Sequence, residues 1–143
     1  MAPIKAILVA VDGSPNSDRA VGHAIELVAG GLATEIHLLN VQPNLRGAIA
    51  TFVNREQIDS YHREEGNKAL VSAIGLAEKA SIAAKVHIGV GRQGEVVRDF
   101  VKKLGANMVV MGTRGHTGLS GVLLGSVAQD VIAHVDVPVT LVK

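Results

Sequence analysis

The chain has 143 residues, 48% of them apolar and only 2% aromatic, so it suits one domain, 1–143, whose single core is built from Val, Ile, Leu and Ala. A net charge of +1 with scattered Lys and Arg argues against a nucleic-acid face, and so few aromatics leave little to stack on unpaired bases. Cysteine is absent, which excludes disulfides, thiol nucleophiles and thiolate metal sites and fits a reducing compartment, the cytoplasm by default.

Ile4 to Val11 is an apolar run of strand length. Lys5 interrupts it, it is too short for a membrane span, and no cleavable signal pattern follows, so no membrane insertion is expected. It ends at Asp12, Gly13 and Ser14, which predicts a helix capped by Ser14 with Pro15 at its first position. Ala20, Ala24, Leu27 and Val28 recur at helical spacing until Gly30 and Gly31 stop it. A second strand is predicted from Glu35 to Val41, after which Gln42, Pro43 and Asn44 open a connection reaching to about Val53.

Ile58, Tyr61, Ala69, Ala73, Leu76, Ala77 and Ala80 describe a long helix from Asn54 to Ala80, weakened by Gly66 and Gly75 and solvated over its first turns. Lys85 to Val90 is the third strand, and Glu95 to Leu104 the next helix, ended by Gly105. Asn107 to Met111 is an apolar fourth strand. A glycine-rich stretch runs from Gly112 to Gly125, Val127, Ala128, Val131, Ile132 and Val135 mark a last helix, and Val137 to Val142 supply the fifth strand.

Strands alternating with helices imply parallel pairing and a three-layer, doubly wound α/β sheet. Ligands of such sheets sit outside the carboxyl ends of strands where the winding reverses. The stretch after the fourth strand fits that place: five of the fifteen residues from Gly112 to Ser126 are glycine. Backbone N–H groups in such a loop can wrap an anion, and Ser126 opens a helix whose dipole favours negative charge. The same stretch also reads as a surface loop that uses glycine only for left-handed turns.

Gly112, Gly115, Gly125 and Ser126 are spaced as Gly, two residues, Gly, nine residues, Gly and Ser, and here the chain resembles ATP-binding members of the universal stress protein family. The resemblance extends to Asp12, Gly13 and Ser14 after the first strand, to Asn40 and Val41, and to the closing Val137, Pro138 and Val139. It implies a fold of the adenine nucleotide alpha-hydrolase-like kind with strand order 3-2-1-4-5, the reversal lying between strands one and four. It further implies ATP with phosphates on Gly115, Gly125, Ser126 and Val127, ribose near Asp12 and Gly112, adenine against Val41 and Met111, and Asp12 beside a phosphate-bound Mg²⁺. From the residues alone, Asp12 reads equally as a cap of the turn at Gly13, Val41 and Met111 as core, and Arg114 and His116 as phosphate partners or solvated side chains.

Gly89, Gly91 and Gly94 spell GxGxxG, but after the third strand and with no acidic residue ending the next, so they are read as a turn. Six histidines show no close ligand spacing, and no glycine precedes a lysine, so neither a metal site nor a Walker-type loop is expected. The expected function is an ATP-binding sensor or regulator in the stress response, with no catalytic residue assigned. Its rivals are a slow ATP hydrolase or adenylate-forming transferase, a dimeric scaffold that binds no nucleotide, and an NAD-binding oxidoreductase. The apolar strand Val137 to Val142 is an edge under the implied order, which predicts a homodimer paired through it.

Overall fold

The computed structural model describes residues 4–45, 51–115 and 124–143. Its elements are β1 (Ile4–Ala10), α1 (Pro15–Ala29), β2 (Ala33–Gln42), α2 (Arg55–Lys79), β3 (Lys85–Val90), α3 (Gln93–Leu104), β4 (Met108–Gly112), α4 (Ser126–His134) and β5 (Val139–Val142). Every pairing is parallel and the sheet runs β3-β2-β1-β4-β5, the order expected. Ile7 of β1 registers on Ile36 of β2 at one side and on Met108 of β4 at the other, so the winding reverses between β1 and β4.

Alternate residues of β1 enter opposite layers, as period-two side chains must. Ile7, Val9 and Val11 pack with Ala20, Val21 and Ala24 of α1 and with Leu70 and Ala73 of α2. Leu8 lies on the other face with Leu39, Val109 and Met111, under Val97 and Val101 of α3 and Ala128 and Val131 of α4. Truncating one such aliphatic side chain costs roughly 2–5 kcal/mol, against about 1 kcal/mol for losing a helix cap. Two-sided burial therefore outweighs capping in holding the fold.

The caps decide where helices begin. Ser14 Oγ accepts from the Ser17 N–H at 3.1 Å, with Pro15 at the first position of α1. Asn54 and Gln57 form a reciprocal capping box at the start of α2, at 2.8 and 2.9 Å. Strand limits follow long-range partners instead. β2 starts two residues before the predicted Glu35 because Ala33 pairs with Ile4. β4 starts at Met108, one later than predicted, because the Asn107 side-chain oxygen accepts from the Lys5 and Ala6 N–H groups at 2.9 and 3.0 Å. β5 starts at Val139 because Pro138 has no N–H for the ladder and contributes only its carbonyl, which accepts from Val109 at 2.9 Å.

Three glycines mark close approaches between elements. A Cβ on Gly66 of α2 would lie 2.6 Å from Ile88 Cδ1 of β3, so the residue that weakens the helix locally lets it settle on the sheet. A Cβ on Gly89 would lie 2.5 Å from Val96, and one on Gly94 2.5 Å from the Asp130 carbonyl, so this part of the GxGxxG run seats α3 against β3 and α4. Gly91, at φ +142, is the turn itself. α3 begins at Gln93, two residues before the predicted Glu95, and the Gly94 N–H donates to Asp130 Oδ2 at 2.7 Å.

β2 and β3 also hold a histidine pair. His37 Nδ1 and His87 Nε2 are 2.9 Å apart and His37 Nε2 is 3.2 Å from Glu35 Oε2. A carboxylate only accepts, so the His37 Nε2 facing Glu35 carries a proton. Burial, then the neighbouring His37, Lys103 and Lys85, hold the His87 imidazole below the usual histidine range. The His37 hydrogen bond, then the Lys85 charge, hold the Glu35 carboxyl low. A histidine lowered on folding binds its proton more readily in the unfolded chain, so its contribution is complete above about pH 6.5 and is lost as pH falls through the lower folded value. Urea unfolding from pH 7.5 down to 5 should show falling stability, with Glu35 still ionised, and His87→Gln should flatten the slope; an unchanged slope in the variant would assign the loss to other groups.

Candidate functional site

The reversal between β1 and β4 opens a cleft beyond the carboxyl ends of β1, β2 and β4, about 240 Å³ in volume. Asp12, Val41, Met111, Gly112, Gly115, Gly125, Ser126 and Val127, the eight residues singled out in the sequence, all line it. Leu39, Val41 and Met111 make an apolar end, each buried in the core beneath α3 and α4. Gly112, Gly115, Gly125 and the start of α4 make the other end. Arg114 also lines the cleft and is exposed, whereas His116 lies outside the described residues.

Asp12 faces both ways. Its Oδ1 accepts from the Ser14 N–H at 2.9 Å, closing the turn at Gly13, whose φ of +82 favours glycine. Its Oδ2 lies toward Gly115, where a Cβ would come within 2.5 Å of it. The capping reading is thus correct for one oxygen, while the other belongs to the cleft. The Asp12 N–H donates to Ser17 Oγ at 3.2 Å, which fixes the backbone of the turn from within α1.

The segment after β4 is held from α1 as well. Asn16 is buried, its Oδ1 accepts from the Arg114 N–H at 2.8 Å, and its Nδ2 donates to the Val142 carbonyl at 3.0 Å. One carboxamide thereby joins α1, the start of the glycine segment and the end of β5. A Cβ on Gly112 would collide with Asn16 Oδ1, so glycine there is a packing requirement. The Gly125 N–H donates to the Thr113 carbonyl at 2.7 Å, bringing the two ends of the glycine-rich stretch together at the cleft.

α4 starts unlike the other described helices. Its N-cap is Gly125, no side chain caps it, and its first turn carries no acidic residue. α1 and α2 have side-chain caps, and α3 has Glu95 in its first turn and Asp130 on the Gly94 N–H. The first amides of a helix have no intrahelical acceptor and carry the positive end of its dipole. Those of α4 point the electrostatics of the cleft toward an anion. Among the described residues no group of three or more His, Asp or Glu side chains is arranged to hold a metal.

Sequence reasoning missed Asn16, Ser17 and Gln93. An asparagine in a first helical turn is weak warning of a side chain bonded elsewhere, and Gln93, whose Nε2 donates to the Val41 carbonyl at 3.1 Å, gave no signal at all. The contact between Gly112 and Asn16 is testable by urea unfolding. Asn16→Ala leaves the Arg114 N–H and Val142 carbonyl without their partner, at about 1–3 kcal/mol, and Gly112→Ala costs a similar amount by overpacking. The double variant should be more stable than the sum predicts by about 1 kcal/mol or more, since the colliding oxygen is gone; strict additivity would contradict the contact.

The model of the universal stress protein family matches residues 3–143. Universal stress protein MJ0531 of Methanocaldococcus jannaschii is 33% identical over 141 residues, covering 97% of this chain and 82% of that protein. Universal stress protein E of Salmonella typhi is 31% identical over 128 residues, 89% of this chain, and the match spans only 41% of its length. Among solved structures, hypothetical protein MJ0577 superposes with a TM-score of 0.81 at 26% identity, covering 99% of this chain and 97% of that one. The universal stress protein of Archaeoglobus fulgidus in complex with dAMP shares the fold with a TM-score of 0.70 at 23% identity, covering 99% and 100%. With its whole described fold and its family signature in agreement, this chain belongs to the universal stress protein family.

Proposed function

We propose that the cleft holds ATP with Mg²⁺ and that its occupancy makes the protein a nucleotide-dependent sensor or regulator in the stress response, working as a single cytoplasmic domain. The phosphates rest on Gly115, Gly125, Ser126 and Val127, the ribose lies near Asp12 and Gly112, and adenine packs against Val41 and Met111. The observation that carries this reading is the uncapped start of α4 facing a cleft whose glycines leave no room for side chains. The cleft, at about 240 Å³, falls a little below the roughly 300–1,000 Å³ common for small-molecule sites. A nucleoside fills its apolar end, and the phosphates extend along the glycine rim. The dAMP held by the Archaeoglobus fulgidus neighbour supports an adenine nucleotide as the ligand class.

No catalytic residue is assigned. Phosphoryl transfer needs placed cations where charge develops, and among the described residues Arg114 is the one basic side chain lining the cleft. The protein released from denatured, freshly purified material should yield ATP on mass analysis. Added ATP and Mg²⁺ at one hundred times the Kd should stabilise the nucleotide-free protein by about 2.7 kcal/mol. Ser126→Glu places a carboxylate at the helix start, which favours the helix and repels phosphate, so this variant should lose the shift while remaining as stable as the unliganded protein. Absence of nucleotide in the extract together with no shift in the unsubstituted protein would overturn the reading.

The homodimer is proposed through β5. This strand closes one side of the sheet and each of its four residues is half-buried. Its outward N–H and C=O groups form a template for a second copy of the same strand. Sedimentation equilibrium should give twice the 14.9 kDa chain mass; a single-chain mass at micromolar concentration would contradict pairing.

A further inference from the structure

The carbonyl of Val11 and the N–H of Asp12 belong to one planar peptide unit, and a side chain takes each of them. From β2, Asn40 Nδ2 donates to the Val11 carbonyl at 2.8 Å. From α1, Ser17 Oγ accepts from the Asp12 N–H at 3.2 Å. Asn40 and Ser17 are both buried and both line the cleft. A carbonyl only accepts, so the bonded end of the Asn40 carboxamide is its nitrogen, and its Oδ1 accepts in turn from Gln42 Nε2 at 2.7 Å. The preceding peptide unit is tied to β2 as well, the Val11 N–H donating to the Leu39 carbonyl at 2.8 Å.

On the α1 side Asp12 closes a ring of three hydrogen bonds. Its N–H donates to Ser17 Oγ, the Ser17 N–H donates to Ser14 Oγ at 3.1 Å, and the Ser14 N–H donates back to Asp12 Oδ1 at 2.9 Å. The ring holds the carboxylate by one oxygen and turns the other, Oδ2, toward Gly115. Tilting the Val11–Asp12 peptide would turn the ring and swing Oδ2 with it, and Asn40 opposes that tilt from the other end of the same peptide. We propose that Asn40 and Ser17 are positioning residues that aim Asp12 Oδ2 at the ribose hydroxyls of the nucleotide. The inference rests on the nucleotide reading above and assigns the aim of the carboxylate to the clamp behind it. A hydroxyl donating to a carboxylate makes a charge-assisted bond, worth about tenfold or more in affinity, and it weakens steeply when its angle is lost.

The test is isothermal titration of the full chain with ATP and with dideoxy-ATP, which lacks both ribose hydroxyls, each with Mg²⁺, for the unsubstituted protein, Asn40→Leu, Asn40→Ala and Ser17→Ala. Leucine keeps the size of asparagine without its donor, and alanine serves at that position should leucine fail to fold. The unsubstituted protein should prefer ATP by about tenfold or more. Substitution on either side of the peptide should cut that preference by about threefold or more by weakening ATP, with dideoxy-ATP affinity unchanged. Asn40 and Ser17 reach opposite ends of one peptide, so the same loss from both assigns it to Asp12. A loss from Asn40 without one from Ser17 would mean that Asn40 bonds the sugar itself, and the clamp fails. If both ligands weaken equally in a folded variant, or the unsubstituted protein does not distinguish them, the positioning role fails while the nucleotide reading stands. If the unsubstituted protein binds neither ligand, the nucleotide reading fails and the clamp fails with it.

Discussion

The fold turns on β1, which is apolar on both faces and paired along both edges. Its neighbours in the sheet are β2 and β4, separated from it in opposite directions by the winding of the chain. That placement puts Asp12, the residue just beyond β1, across from the segment that follows β4. The cleft is therefore a consequence of strand order, and strand order is held by burying Ile7, Leu8 and Val9 in two layers at once. Any change that shifted β1 by one residue would exchange the two faces and dismantle both cores.

The details of the cleft come from close packing instead of charge. Gly112 and Gly115 are placed where a side chain would strike Asn16 and Asp12, and Gly125 where it would crowd the Thr113 carbonyl at 3.1 Å. Backbone consequently lines the rim, and the amides that begin α4 are what the rim presents. Asn16 ties this rim to the end of β5 through a single buried side chain. The universal stress protein family model spans this whole arrangement, matching residues 3–143.

What was legible in the sequence was local. Ser14 before Pro15 specified the start of α1, while α2 was placed by its apolar spacing from Asn54 and begins one residue later, at Arg55, with Asn54 as its cap. The five strands were evident because their apolar runs are bounded by glycine, proline or asparagine. Less visible were features whose partner lies far along the chain. Asn16 meets Arg114 across 98 positions and Gln93 meets Val41 across 52, so neither neighbourhood announces the bond. Gly66 read as a flaw in a helix because its reason, Ile88, sits on another element. The strand limits moved for the same cause, with β2 lengthened by β1 and β5 shortened by Pro138. The eight cleft residues were singled out by the resemblance to a family, which the glycine spacing carried; from the residues alone Asp12 read equally as a cap and Val41 and Met111 as core.

The central claim is that main-chain amides at the start of α4 receive the phosphates. A crystal structure of the protein with ATP and Mg²⁺ tests it most directly. The expected result is phosphate oxygens within hydrogen-bond distance of the N–H groups of Ser126 and Val127, with the base between Val41 and Met111. Nucleotide bound elsewhere on the molecule, with the start of α4 facing only solvent, would contradict it.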